Sequence, residues 1–160
     1  MSKESIRVIK IEYETAADGP GLRTSIYCAG CKHMCPGCHN VQSWDFNAGR
    51  DISIDSILRD ILEDPYANVT FTGGDPLYQV DEFTKLAKKI KENSNKTIWL
   101  YTGFTYEQIL ESDKLSQILP YIDVIVDGPF INDLRDTNLQ FRGSSNQKII
   151  YLHEKQNENI

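Results

Sequence analysis

At 160 residues, with 40% hydrophobic and 25% charged residues, the chain has the length and balance of one ordinary domain. A domain of that size buries roughly 70% of the surface its unfolded chain exposes, so it needs neither a disulfide nor a structural metal to make a core. The net charge of −6 argues against a nucleic-acid or anionic-membrane surface, because phosphate contacts need a basic face. A protein partner or a small ligand is the expectation.

No long apolar run and no signal peptide is present: Met1 to Lys10 alternates charged with aliphatic residues. The cytoplasm is therefore the expected compartment, where thiols stay reduced.

Ile6–Ile11 is β-branched and partly alternating, a predicted strand. Asp18-Gly19-Pro20-Gly21 is a turn signal, and Leu22–Cys28 reads as a second strand. Asp51-Ile52-Ser53 opens a helix in which Ile54, Ile57, Leu58, Ile61 and Leu62 share one face, with Ser53 as N-cap and Pro65 as the stop. Asn68–Thr72 is a strand ending in Gly73-Gly74-Asp75-Pro76. A helix follows from about Val80 to Glu92, with Val80, Phe83, Ala87 and Ile90 on its inner side.

Thr97–Tyr101 is the next strand. Thr105-Tyr106-Glu107-Gln108 has the form of a capping box, and short helical pieces run to Leu119 before Pro120. Asp123–Asp127 is a strand, Leu134–Ser145 is loop-like, and Gln147–Leu152 is the last strand.

Strands alternating with amphipathic helices imply parallel pairing through right-handed crossovers. The expected fold is α/β: an open partial (β/α) barrel of about five or six mostly parallel strands, one domain over residues 1–160 with its core at about 15–152. Such sheets carry their functional groups on loops beyond the strand C-termini. The loops after Cys28, Thr72, Tyr101 and Asp127 should then converge on one edge.

All four cysteines lie in one loop, spaced Cys28-x2-Cys31-x3-Cys35-x2-Cys38. Three kinds of site suit such a cluster. A zinc site would use four thiolates, but zinc ribbons separate their two C-x2-C pairs by a dozen or more residues, and here three intervene. A ferredoxin-type carrier would match Cys28-x2-Cys31-x3-Cys35-Pro36, lacking one cysteine upstream and leaving Cys38 unexplained. A three-thiolate site on Cys31, Cys35 and Cys38 would leave one iron of a [4Fe–4S] cluster open for chemistry.

The cysteine loop together with Thr72-Gly73-Gly74-Asp75-Pro76 resembles the signature of the radical S-adenosylmethionine superfamily. More closely, Asp18-Gly19-Pro20-Gly21-Leu22-Arg23, the stretch from Gly30-Cys31 to Cys38-His39-Asn40, Ser43-Trp44 and Phe71–Leu77 resemble the activating-protein family of anaerobic (class III) ribonucleoside-triphosphate reductases. So do Tyr101–Phe104, Asp123–Phe130 and Phe141–Gln147. The resemblance spans about residues 15–152.

It implies that Cys31, Cys35 and Cys38 hold three irons and that S-adenosylmethionine chelates the fourth. It further implies that Gly37, Cys38, His39, Gly73, Gly74 and Asp75 lie against that cofactor. The implied chemistry is reductive cleavage of S-adenosylmethionine to methionine and a 5′-deoxyadenosyl radical, which takes a glycine Cα hydrogen on the large catalytic subunit of anaerobic ribonucleotide reductase. The electron would come from a donor such as flavodoxin or ferredoxin. Asp75 stands where the superfamily more often has Glu, and Gly37 where it often has an aromatic residue.

Other residues take plainer expected roles. Cys28 shares a strand face with Ile26 and reads as a small core residue. His33 reads as a solvated loop residue, Trp44 as core packing and Asp127 as a structural hydrogen-bond acceptor. Arg142 and Asn146 either contact the ligand or hold the long loop, and the loop role is the one favoured. Arg23 either pairs with a core carboxylate or faces the cofactor carboxylate. The competing functions are an activase of another glycyl-radical enzyme, a short small-molecule radical S-adenosylmethionine enzyme and an iron–sulfur electron carrier.

Overall fold

The structure, a computed structural model, describes residues 4–31, 45 and 47–152. Its centre is a seven-stranded mixed sheet in the order β3-β1-β2-β4-β5-β6-β7. The strands are β1 (Ser5–Thr15), β2 (Arg23–Cys28), β3 (Arg50–Ser53), β4 (Asn68–Gly73), β5 (Ile98–Tyr101), β6 (Val124–Asp127) and β7 (Lys148–Tyr151).

The four central strands β2, β4, β5 and β6 pair in parallel. The outer pairings, β1 with β2, β1 with β3 and β6 with β7, are antiparallel. This corrects the expectation of five or six mostly parallel strands. A parallel return needs a crossover of about a dozen residues or more, and only residues 16–22 separate β1 from β2. β3 is the strand missed from the sequence: it falls on Arg50–Ser53, where a helix opening was expected.

Alternation along the strands divides the sheet into two faces. Ile26, Phe71, Leu100 and Ile125 form one cross-strand row and belong to the main core. Helix α1 (Ile54–Glu63) adds Ile54, Ile57 and Ile61 to that core, and helix α2 (Val80–Asn93) adds Val80, Phe83, Leu86, Ala87 and Ile90. The Phe71 and Phe83 rings meet with centroids 4.8 Å apart. Ser53 caps α1 by accepting from Ser56 N at 3.1 Å. The predicted capping box also forms at α3 (Tyr106–Leu110), with Thr105 and Gln108 bonding reciprocally. Helix α4 (Asp113–Ser116) follows.

The second face carries Arg23, Ser25 and Tyr27, then Thr70 and Thr72, then Trp99 and Tyr101, then Val124 and Val126. It is covered by the turn at residues 16–22 and by the loop at 129–147. Phe141 packs edge-on against Trp99 at 5.4 Å, and Thr70 Oγ1 donates to Asp18 O at 2.7 Å.

Arg23 fastens this arrangement from inside, being only 1% exposed. Its guanidinium donates to Thr70 Oγ1, Pro20 O, Val69 O and Thr97 O at 2.9–3.1 Å and stacks over Trp99 at 5.6 Å. Burial pushes its pKa down to about 10, still charged at neutral pH. The expected carboxylate is replaced by neutral oxygens, and the residue sits at the end of β2 remote from the cysteine loop. Among the described residues no helix is long and apolar enough to cross a membrane.

Replacing Arg23 with leucine is expected to lower unfolding stability by roughly 3 kcal/mol, since several buried carbonyls lose a charged donor together. A urea unfolding curve checks this, and an unchanged midpoint contradicts the role assigned to the guanidinium.

Candidate functional site

Parallel pairing places the C-terminal ends of β2, β4, β5 and β6 on one edge, as the sequence pattern required. The edge is knit by backbone bonds. Beyond the last pair of the β2–β4 ladder, Cys28 with Gly73, Gly74 N donates to Cys28 O at 2.8 Å and Asp75 N donates to Gly30 O at 2.8 Å. The glycine segment therefore runs directly alongside the entry to the cysteine loop. Cys31 lies there too, 8% exposed.

Gly73 has φ +116°, and a Cβ on it would stand 2.2 Å from Cys28 N and 2.5 Å from Cys28 O. Only glycine fits at this position, and the group it makes room for is the backbone of the cysteine strand. Gly73 and Gly74 are both half-buried.

Asp75 is fully buried. Its Oδ1 accepts from Leu77 N at 3.0 Å, capping the 3-10 turn at Pro76–Gln79. Its Oδ2 accepts from Thr102 Oγ1 and from Gly103 N, both at 2.9 Å. The carboxylate is thus a tie between the loops after β4 and β5.

The ties continue outward. Thr102 N donates to Val126 O at 3.1 Å and Gly128 N donates to Phe104 O at 2.9 Å. Asp127 accepts from Tyr106 N at 2.8 Å and Lys148 N at 3.0 Å, the structural acceptor role expected of it.

Cys28 lies wholly within the main core. Burial, then the neighbouring Asp75 carboxylate, pushes its thiol well up, so it stays protonated. It sits on the core face of β2 beside Ile26, the small core role expected of it. Of the three-thiolate set expected from the sequence, Cys31 is described. Cys35, Cys38, Gly37, His39, His33 and Trp44 lie outside the described residues. The chemistry of this set fits a cluster with three protein ligands.

A cleft of about 490 Å³ opens on the second face of the sheet, lined by Tyr27, Thr72, Tyr101, Phe130, Phe141 and Arg142 among others. It begins one residue before Cys28 and Gly73. Tyr27 Oη donates to Asp18 Oδ2 at 2.6 Å. Burial, reinforced by Asp18, raises both the Tyr27 and Tyr101 phenols, so both remain protonated. Tyr101 Oη and Arg142 Nε are buried and find no hydrogen-bond partner among the described residues.

Arg142 Nη1 donates to Gln147 O at 2.9 Å and Asn146 Nδ2 donates to Pro129 O at 2.8 Å, so both residues hold the long loop as expected. The tyrosines were missed from the sequence, although alternation against Ile26 and Leu100 marks their face. A larger cavity of about 620 Å³, between β1, β3 and α1, contains none of the groups of this edge.

Residues 17–150 match the family model described as a 4Fe-4S single cluster domain. The chain is 36% identical over 143 residues to the anaerobic ribonucleoside-triphosphate reductase-activating protein of Escherichia coli (strain K12), covering 84% of this chain and 92% of that protein. It is 39% identical over 142 residues to the protein of the same name from Pasteurella multocida (strain Pm70), covering 84% and 89%. The namesake from Enterobacteria phage T4 is 36% identical over 138 residues, covering 82% and 85%. The chain therefore belongs to the family of anaerobic ribonucleoside-triphosphate reductase-activating proteins.

Two substitutions test the edge. Gly73→Ala is expected to cost at least about 2 kcal/mol, from strain and from the clash with Cys28. Asp75→Asn sets an amide donor against existing donors and is expected to cost about 2–3 kcal/mol. Chemical unfolding of the cluster-free chain measures both, and wild-type stability in either variant contradicts the geometry given above.

Proposed function

We propose that this chain is the activating enzyme of an anaerobic ribonucleoside-triphosphate reductase, using a [4Fe–4S] cluster and S-adenosylmethionine. The observation that carries the reading is the stitching of Gly73–Asp75 to the backbone that leads into Cys31. Two motifs far apart in sequence meet where one cofactor can touch both.

In this reading Cys31, Cys35 and Cys38 hold the cluster, and Gly37, Cys38, His39, Gly73, Gly74 and Asp75 lie against S-adenosylmethionine. When bound, the reduced cluster supplies the electron that cleaves S-adenosylmethionine, and the resulting 5′-deoxyadenosyl radical takes a hydrogen atom from a glycine Cα of the reductase.

The residues of the chain supply position. Gly73 lets the glycine segment press against the cysteine strand, and the Asp75 carboxylate holds that segment to the β5 loop. Asp75 then meets the cofactor through its backbone, because its carboxylate is occupied. The phenols of Tyr27 and Tyr101 and the rings of Phe130 and Phe141 wall the cleft beside the edge. That cleft is the route by which a glycine on a polypeptide reaches the cofactor. The sheet forms an open partial (β/α) barrel, the chain is one domain over residues 1–160, and it works in the cytoplasm with flavodoxin or ferredoxin as reductant.

The test is anaerobic iron reconstitution, reduction with dithionite, and assay for 5′-deoxyadenosine. Adding the large reductase subunit should produce a glycyl electron-spin signal on that subunit. Cys31→Ala should abolish cluster and product, while Cys28→Ala should keep both. A loaded cluster that yields no 5′-deoxyadenosine overturns the reading, and product without a glycyl signal assigns the chemistry to another substrate.

A further inference from the structure

Arg7, in the first strand, makes contacts that the proposed chemistry does not use. Its backbone N–H donates to Gln79 Oε1 at 2.8 Å, and Gln79 Nε2 donates to Arg7 O at 3.1 Å and to Ala29 O at 3.2 Å. Ala29 N in turn donates to Arg7 O at 3.0 Å. The main chain of Arg7 thus anchors the segment two residues before Cys31, with Gln79, from the turn that Asp75 caps, as the bridge.

The side chain reaches the other end of the same loop. Nε donates to Ala48 O at 3.0 Å and Nη2 donates to Asn47 O at 2.7 Å, while Nη1 stands 3.5 Å from Asp51 Oδ1. The exit is pressed against β1 at the same place, because a Cβ on Gly49 would lie 2.1 Å from Val8 O.

We propose that Arg7 is a positioning residue that clasps both roots of the cysteine loop, and that this clasp sets how tightly the cluster is retained. The inference rests on the reading that the loop carries a [4Fe–4S] cluster. Fixing the two ends of a chain segment together removes freedom from the residues between them. Pinning both ends to one strand restricts the thiolates before any iron arrives. The ion pair with Asp51 is partly exposed and contributes little by itself. The forked donation to two successive carbonyls is the part only arginine can supply, since lysine presents a point charge rather than a planar fork.

The experiment compares wild type, Arg7→Met, Arg7→Lys and Lys89→Ala after anaerobic reconstitution. Lys89 pairs with Asp55 between the two long helices and serves as a control for loss of a surface ion pair. Iron release to a chelator is followed with and without S-adenosylmethionine, beside the melting temperature of each cluster-free chain. Arg7→Met is expected to assemble the cluster and then release iron about fivefold faster or more, the scale of losing roughly 1 kcal/mol. Its melting temperature should stay within about 4 °C of wild type. Arg7→Lys should fall between the two, and Lys89→Ala should release iron as wild type does.

Wild-type release from Arg7→Met overturns the proposal, as does equal acceleration in Lys89→Ala. Where Arg7→Met does not fold, wild-type release from Arg7→Lys overturns it. Failure of the underlying reading looks different: a wild-type chain that binds no cluster removes both, whereas one that binds a cluster without cleaving S-adenosylmethionine removes only the proposed function.

Discussion

The contact between Gly73 and Cys28 is the constraint on which the candidate site depends. Two strands that pair in parallel must end side by side, and here the pairing extends past the last regular residue into two loops. No side chain fits between them. The glycine segment and the backbone leading into Cys31 are therefore one unit. Asp75 extends the unit to the β5 loop, and the following turn carries Gln79 to β1. The edge is built chiefly from main-chain groups, with a carboxylate, an amide and a guanidinium as cross-links.

Much of this could be read from the sequence. The isoleucines of α1 repeat at helical spacing and Ser53 is a capping residue, so both the helix and its start were legible. The convergence of the loops followed from strands alternating with helices. β3 was not legible, because four residues with one aliphatic side chain carry no periodic signal. The antiparallel flanks were missed for a related reason: periodicity reports which face is buried but is silent on strand direction. The short connection at residues 16–22 held that information.

The candidate site divides in the same way. Spacing set the cysteines and glycines apart from the rest of the chain, and Cys28 was separable by alternation alone. The task of Asp75 was hidden, because an acidic residue in a glycine-rich loop looks like a ligand group and its actual partners, Thr102 and Gly103, come from the next strand's loop. Arg7 was invisible for the opposite reason, since a charged residue alternating along an outer strand looks like a solvated one.

The antiparallel flanks have a further effect. β2 and β6 are almost wholly buried strands, and left at the margins of a four-stranded sheet they would offer unpaired, hydrogen-bonding templates to any unfolded chain. β1 and β7 cover them. The strands that end the sheet, β3 and β7, are only four residues long, β3 mostly and β7 half exposed, and each carries charge. Short margins that carry charge resist edge-to-edge aggregation. A sheet so small can therefore keep a purely parallel, buried centre and still remain a poor seed for stacking on itself.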